Sequence, residues 1–334
     1  MKIAKTFGSF LFLFLGLSLV SLRAQPAAVE QMQNTQQAIK QQQPLLGIGT
    51  ETNAPELYPG ENMDVGPQRI LKVTPSRTWF EVYLDSQAFF TGNPLLVGAA
   101  TNHAVIFVNT AQFAVVPVPP LQFGSGKLTP LVGVRSQWYN YNFKSPLNLD
   151  FDAQTAFIAA KYRLSEKWEV DGELDYTRLV TQHSYTQFYT EWVPNFTVQR
   201  LFPINDNMLG SISWQTAYHF TDVPAVLGSA TPNDVNNRLD NILTFSLSYQ
   251  PAPKFVIQPY YSVEYTYYSR DPYSVTSASR NDFLNSLGLS CAYYFTPKVA
   301  LRTFISADFR ASDNSAANYE NYNIGADVSL VVRF

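Results

Sequence analysis

Residues 168–177 read WEVDGELDYT, and their alternation decides the fold. Trp168, Val170, Gly172, Leu174 and Tyr176 share one parity, while Glu169, Asp171, Glu173, Asp175 and Thr177 share the other. Successive side chains of an extended strand point to opposite faces, so this stretch has one apolar face and one face carrying a row of carboxylates. In a soluble sandwich the charged face would meet bulk water. In a barrel that crosses a membrane, the apolar face meets lipid and the charged face lines the lumen.

The same period of two runs through most of the chain. In RTWFEVYLDSQAFF (77–90), Phe80, Val82, Leu84, Ala88 and Phe90 lie on one face, and Glu81, Tyr83, Asp85 and Gln87 on the other. Alternation and turn residues predict strands near 77–90, 104–118, 128–143, 151–164, 168–181, 186–201, 208–221, 238–250, 255–269, 280–295, 298–310 and 320–334. The second of these is the weakest, because HAVIFVNTAQFAVVPVPP (103–120) alternates poorly and ends in prolines. About twelve strands satisfies the even number found in bacterial barrels and puts both ends of the sheet on one side.

The connections choose between sandwich and barrel. LSEKW (164–168), FPINDNM (202–208), PAPK (251–254) and TPK (296–298) are short; TDVPAVLGSATPNDVNNR (221–238), YSRDPYSVTSASR (268–280) and RASDNSAANYE (310–320) are long and polar. Short turns alternating with long loops are the pattern of a transmembrane barrel. Aromatic residues gather at strand ends: Trp138, Tyr139, Tyr141, Tyr265, Tyr267 and Tyr268 before long loops, and Tyr162, Trp168, Tyr249, Phe255 and Tyr293–Phe295 beside short turns. Such placement predicts two interfacial girdles.

Composition agrees. Of 334 residues, 15% are aromatic and only 15% charged, against the ~25% charged residues of ordinary soluble domains. The net charge of -3 argues against nucleic acid as a partner. A single cysteine, Cys291, forms no internal disulfide. At the N-terminus, Lys2 and Lys5 precede the apolar run FGSFLFLFLGLSLVSL (7–22) and Ala24, which predicts a secretory signal peptide over 1–24. Residues 25–76 begin Gln-rich (QPAAVEQMQNTQQAIKQQQ) and continue without periodicity, so they read either as a periplasmic tether or as a plug-like segment at the barrel mouth. The barrel itself is expected over 77–334.

The last strand, NYNIGADVSLVVRF (321–334), is apolar at alternate positions and finishes on Phe334. It resembles the C-terminal signature of bacterial outer-membrane β-barrel proteins. The resemblance implies that Tyr322, Leu330, Val332 and Phe334 form the signal read by the outer-membrane barrel assembly machinery, and that the chain resides in the bacterial cell outer membrane, in contact with the lipid bilayer.

Few residues suggest catalysis. His103, His183 and His219 lack the His-x-Ser-Asn-Gly context that the resemblance would require of a barrel phospholipase. His183, His219, Asp175 and Asp222 fall near the external strand ends, where barrel proteases place acidic pairs and a histidine. GSGK (124–127) lacks the remaining residues of a phosphate loop and reads as a turn; NFT (195–197) lies within a strand. No spacing fits a zinc site, and no cofactor is expected. Asp171, Glu173 and Asp175 alternate ~7 Å apart, too far for one tight cation site without neighbouring strands.

The expectation is therefore an all-β chain forming a transmembrane antiparallel up-and-down β-barrel of about twelve strands. Its predicted role is that of a porin or channel passing small polar solutes, with modest cation preference. The predicted pore lining is Glu81, Asp85, Arg135, Glu169, Asp171, Glu173, Asp175, Glu191, Asp240, Glu264, Arg302, Asp308 and Asp327. Lys161, Arg163, Arg333 and, at the rim, Arg310 add positive charge. Inward Phe157, Tyr260, Leu284 and Phe304 favour the alternative of a structural or adhesive barrel with a closed lumen, whereas Ser211, Ser213, Ser246, Ser262, Ser286, Gly288 and Ser290 favour open space. A barrel hydrolase is the third reading.

Overall fold

The computed structural model describes residues 28–30, 32, 78–98, 103–142, 149–223, 233–271 and 278–334. The signal peptide predicted over 1–24 lies outside these residues, as does nearly all of 25–76. Thirteen strands are formed among the described residues. They are β1 (Phe80–Thr91), β2 (Ala104–Val115), β3 (Leu121–Phe123), β4 (Gly126–Asn142), β5 (Phe151–Arg163), β6 (Trp168–Thr181) and β7 (Gln187–Asn205). They continue with β8 (Met208–Asp222), β9 (Arg238–Ala252), β10 (Phe255–Tyr268), β11 (Arg280–Thr296), β12 (Val299–Ser312) and β13 (Tyr319–Arg333).

Each long strand pairs antiparallel with its neighbours in sequence, with β2 pairing to β4 past the short β3. β1 pairs with β13 in the register Val82↔Val332 and Phe90↔Ile324, which closes twelve strands into a barrel. Closure leaves none of the twelve long strands with a free edge, the condition for strands to cross a bilayer. The doubtful second strand is a full member, paired on both sides over its whole length. β3 is a three-residue hairpin arm on β4, joined through Gly124 at φ +58°, the left-handed conformation that glycine adopts without strain.

The two faces separate as the alternation predicts. Leu84, Val134, Ile158, Leu174, Phe245, Leu287, Ile305 and Val328 are exposed on the outside, from strands all round the barrel, an apolar exposure that a soluble monomer rarely presents. Some outward polar groups pair across strands: Ser86 Oγ donates to Asn109 at 2.9 Å, and the Tyr261 and Tyr265 hydroxyls donate to Asn285 and Asn281 at 2.8 and 2.7 Å. Such pairing removes the cost of an unsatisfied polar group in an apolar surround.

Two sequence expectations need correction. Residues 182–186, the connection between β6 and β7, are as short as a turn although they lie at the long-loop end, so the alternation of loop length is not strict. Tyr139, Tyr141 and Tyr268 do not join an outer girdle. Tyr139 is fully buried and stacks on Phe151 with centroids 4.4 Å apart; Tyr141 packs beside the same cluster; and Tyr268 lies under the Arg280 guanidinium at 3.9 Å. Their parity on β4 and β10 points them inward, as does that of Tyr294 on β11 between the exposed Tyr293 and Phe295, and parity outranks nearness to a strand end.

Three inward aromatic rings lie over glycines on the neighbouring strand. Phe157 faces Gly133, Tyr260 faces Gly288 and Phe304 faces Gly325 in register. A Cβ on those glycines would approach the rings to 2.4, 2.3 and 2.9 Å respectively. The rings therefore rest against the wall in the space a missing side chain leaves, as aromatics do when they cover strand glycines.

Candidate functional site

The interior of the barrel is polar because one parity of nearly every strand is polar. Asp85, Arg135, Asp175, Glu191, Asp240, Arg302, Asp308 and Asp327 are buried, and Glu81, Glu169, Asp171, Glu173 and Glu264 are partly so. Each has the inward parity of its strand.

Near the short-turn end, ionic pairs run across adjacent strands in register. Arg302 on β12 donates to Asp327 on β13 through Nε at 2.6 Å and Nη2 at 2.5 Å. Arg333 Nε reaches Glu81 at 2.8 Å across the β1–β13 seam, and Arg163 lies 3.8 Å from Glu169. Midway along the wall, Arg135 is 3.9 Å from Glu173, and Asn195 donates to Asp175 at 3.4 Å. Asn323 Nδ2 donates to Asp308 at 3.1 Å, and Thr266 donates to Glu264 at 3.1 Å.

Toward the long-loop end the structure assembles two denser clusters. In the first, His219 on β8 lies between Glu191 on β7 and Asp240 on β9, with Nδ1 2.8 Å from Glu191 and Nε2 2.9 Å from Asp240. Arg238 reaches Asp240 at 3.2 Å, and Tyr189 donates its hydroxyl proton to Glu191 at 2.7 Å. In the second, Arg280 on β11 forms 2.8 and 3.0 Å bonds to Asp282 and Asp271 while its guanidinium covers Tyr268. Arg310 on β12 sits 3.9 Å from the same Asp282. Charges buried this deeply persist only with partners of opposite sign, and both clusters supply them.

Arg238, Arg280, Asp282 and the inward setting of His219 are absent from the predicted lining. The signal was available: each has the inward parity of its strand. Arg238 and Arg280 open their strands immediately after long polar loops, and there they read as loop residues. The acidic and histidine residues weighed for proteolysis do not converge. His183 is exposed in the 182–186 connection, Asp222 is exposed at the end of β8, and Asp175 lies elsewhere on the wall, bonded to Asn195. Among the described residues, no group of three or more His, Cys, Asp or Glu side chains is arranged to hold a metal ion.

Tyr322 on β13 and Phe334 just after it are exposed, with Leu330 and Val332 half-buried at the same parity. Phe334 continues the seam beyond the strand: its N–H donates to the Phe80 carbonyl at 3.0 Å, and its carbonyl accepts from the N–H of Phe80 at 3.2 Å.

No protein-family model matches the chain, and no curated protein matches it. Among solved structures, the chain is similar to an outer membrane channel from Pseudomonas putida F1, with 11% identity over 76% of this chain and 96% of that one and a TM-score of 0.48. It is also similar to the β domain of the Bordetella autotransporter BrkA, with 11% identity over 75% and 98% and a TM-score of 0.42. A third is the NanC porin, with 10% identity over 74% and 98% and a TM-score of 0.39.

Proposed function

We propose that this chain is a channel of the bacterial cell outer membrane, through which small polar solutes diffuse, and that it is not an enzyme. The observation that carries this reading is the two-faced closed wall: a predominantly apolar exterior around an interior of carboxylates, guanidiniums and amides. Only a bilayer accommodates that exterior, and only a polar path gives that interior a use. Eight strands are filled by their own side chains and 16–18 leave a wide aqueous channel, so twelve make a narrow one. The rings of Phe157, Tyr260 and Phe304 resting on glycines count against a lumen packed shut by bulky residues.

The channel favours cations modestly. Inward acids outnumber inward bases, but Arg238 and Arg280 offset part of that excess and most of the charges are paired. Export removes residues 1–24, and the outer face of β13, with Tyr322, Leu330, Val332 and Phe334, is the strand that the assembly machinery reads. His219, with a carboxylate on each ring nitrogen, serves as a cross-strand tie rather than as a base.

Single-channel recording of the full chain in a planar bilayer tests the reading. Discrete conductance steps from protein that shows the heat-modifiable mobility of a folded barrel are expected. Folded protein that never conducts, in any variant, overturns it in favour of the closed structural barrel.

A further inference from the structure

The lumen holds a piece of the chain's own N-terminal segment. Ala28, Val29 and Met32, on a helical turn, are buried at 8%, 5% and 1% exposure. They belong to one apolar cluster with inward residues of β2, β4, β5, β6 and β7, among them Ile106, Val108, Tyr139, Phe151, Leu179 and Tyr189. Glu30, on the same turn, is held from β12 and β13. Arg310 Nη1 donates to its two carboxylate oxygens at 2.9 and 2.8 Å, and the Tyr319 hydroxyl donates to Oε1. Cluster and latch together draw in strands from most of the circumference, so the turn lies across the lumen.

The wall is shaped for this occupant. Elsewhere the inward parity is mostly polar, yet Ile106 and Val108 on β2 and Leu179 on β6 are inward and fully buried. An apolar patch facing an aqueous path has no reason to exist unless something apolar covers it. Ala28, Val29 and Met32 cover it. The polar contact is equally specific, because a guanidinium engaging both carboxylate oxygens, backed by a phenol, is a charge-assisted site.

We infer that the turn carrying Ala28, Val29, Glu30 and Met32 is a resident plug docked on the apolar half-wall of the lumen and latched through Glu30 to Arg310 and Tyr319, and that release of this latch opens the channel. The inference rests on the channel reading above. Charge-assisted hydrogen bonds are among the strongest that side chains make, while the apolar contact involves three small or medium side chains. The latch therefore carries a large share of the docking.

The test uses the full chain with Met32→Cys in a Cys291→Ser background, reconstituted in lipid and checked for folding by heat-modifiable mobility. Labelling by a membrane-impermeant maleimide is expected to be slow in the parent and at least tenfold faster with Glu30→Lys, which sets a cation against Arg310. Conductance without the Cys substitutions should rise in Glu30→Lys and in a deletion of residues 28–32, with longer open times. Parent labelling as fast as in denaturant, or labelling unchanged by Glu30→Lys together with conductance unchanged in both variants, overturns the plug. Labelling that depends on the latch, with no conductance in any folded variant, overturns the channel reading and the gate with it, while leaving the docked turn in place.

Discussion

Gly288 has no room for a methyl group, because a Cβ there would sit 2.3 Å from the Tyr260 ring on the facing strand. Overpacking of this kind costs ~1–3 kcal/mol. Gly288→Ala is therefore expected to destabilise the barrel by that amount in urea titrations in lipid, and Tyr260→Ala in the same chain should remove most of the added penalty. Additive losses in the double variant would show that ring and glycine do not share the space. Face assignment is tested on β6. Leu174 is exposed at mid-strand on the outer wall, where arginine costs ~2–4 kcal/mol, while Asp175 beside it is turned inward toward Asn195. Leu174→Arg should impair folding into lipid severely and Asp175→Asn only slightly; equal effects would mean that the faces are inverted.

At the scale of elements, the seam and the hairpin arm differ in weight. β1 and β13 close the barrel, and Phe334 adds backbone hydrogen bonds to Phe80 beyond the last strand residue. Deleting Phe334, or replacing it with Asp, should lower the yield of heat-modifiable protein in membranes more than any single loop change; an unchanged yield would contradict both the seam and the assembly-signal roles. β3, in contrast, pairs with β4 alone over three exposed residues. Replacing residues 119–125 with a short polar turn should leave the melting behaviour of the barrel nearly unchanged. These elements were legible to very different degrees. The strands announce themselves because lipid and water select opposite residue types at alternate positions. β3 is too short to show a period, and Gly124 marked only its turn.

For the whole molecule, the testable property is the charge of the path. A narrow lumen lined by one sign in excess concentrates counter-ions. Reversal potentials under a KCl gradient should show modest cation selectivity in the native protein, and Asp171→Asn/Glu173→Gln/Asp175→Asn should shift it toward anions. The preference should fade between 0.1 M and 1 M salt as the screening length falls from ~10 to ~3 Å. Native anion selectivity, or no shift in the triple variant, would contradict the assignment.

By itself the sequence determined the strand period, the faces, the approximate strand count and, apart from the 182–186 connection, the sides on which loops of different length fall. All of these follow from residue-by-residue exposure to lipid or to the interior, a local constraint written at every second position. Tertiary structure alone decided which inward groups meet. Glu191, His219, Asp240 and Arg238 come from three strands, and their association depends on register, which no single strand records. The poor alternation of β2 has the same origin. Ile106 and Val108 are apolar on the inner face because that face packs in one cluster with Ala28, Val29 and Met32, so both faces of the strand are apolar and the period fades. A contact between residues some eighty positions apart in the chain erased the local signal, and only the folded barrel restores its meaning.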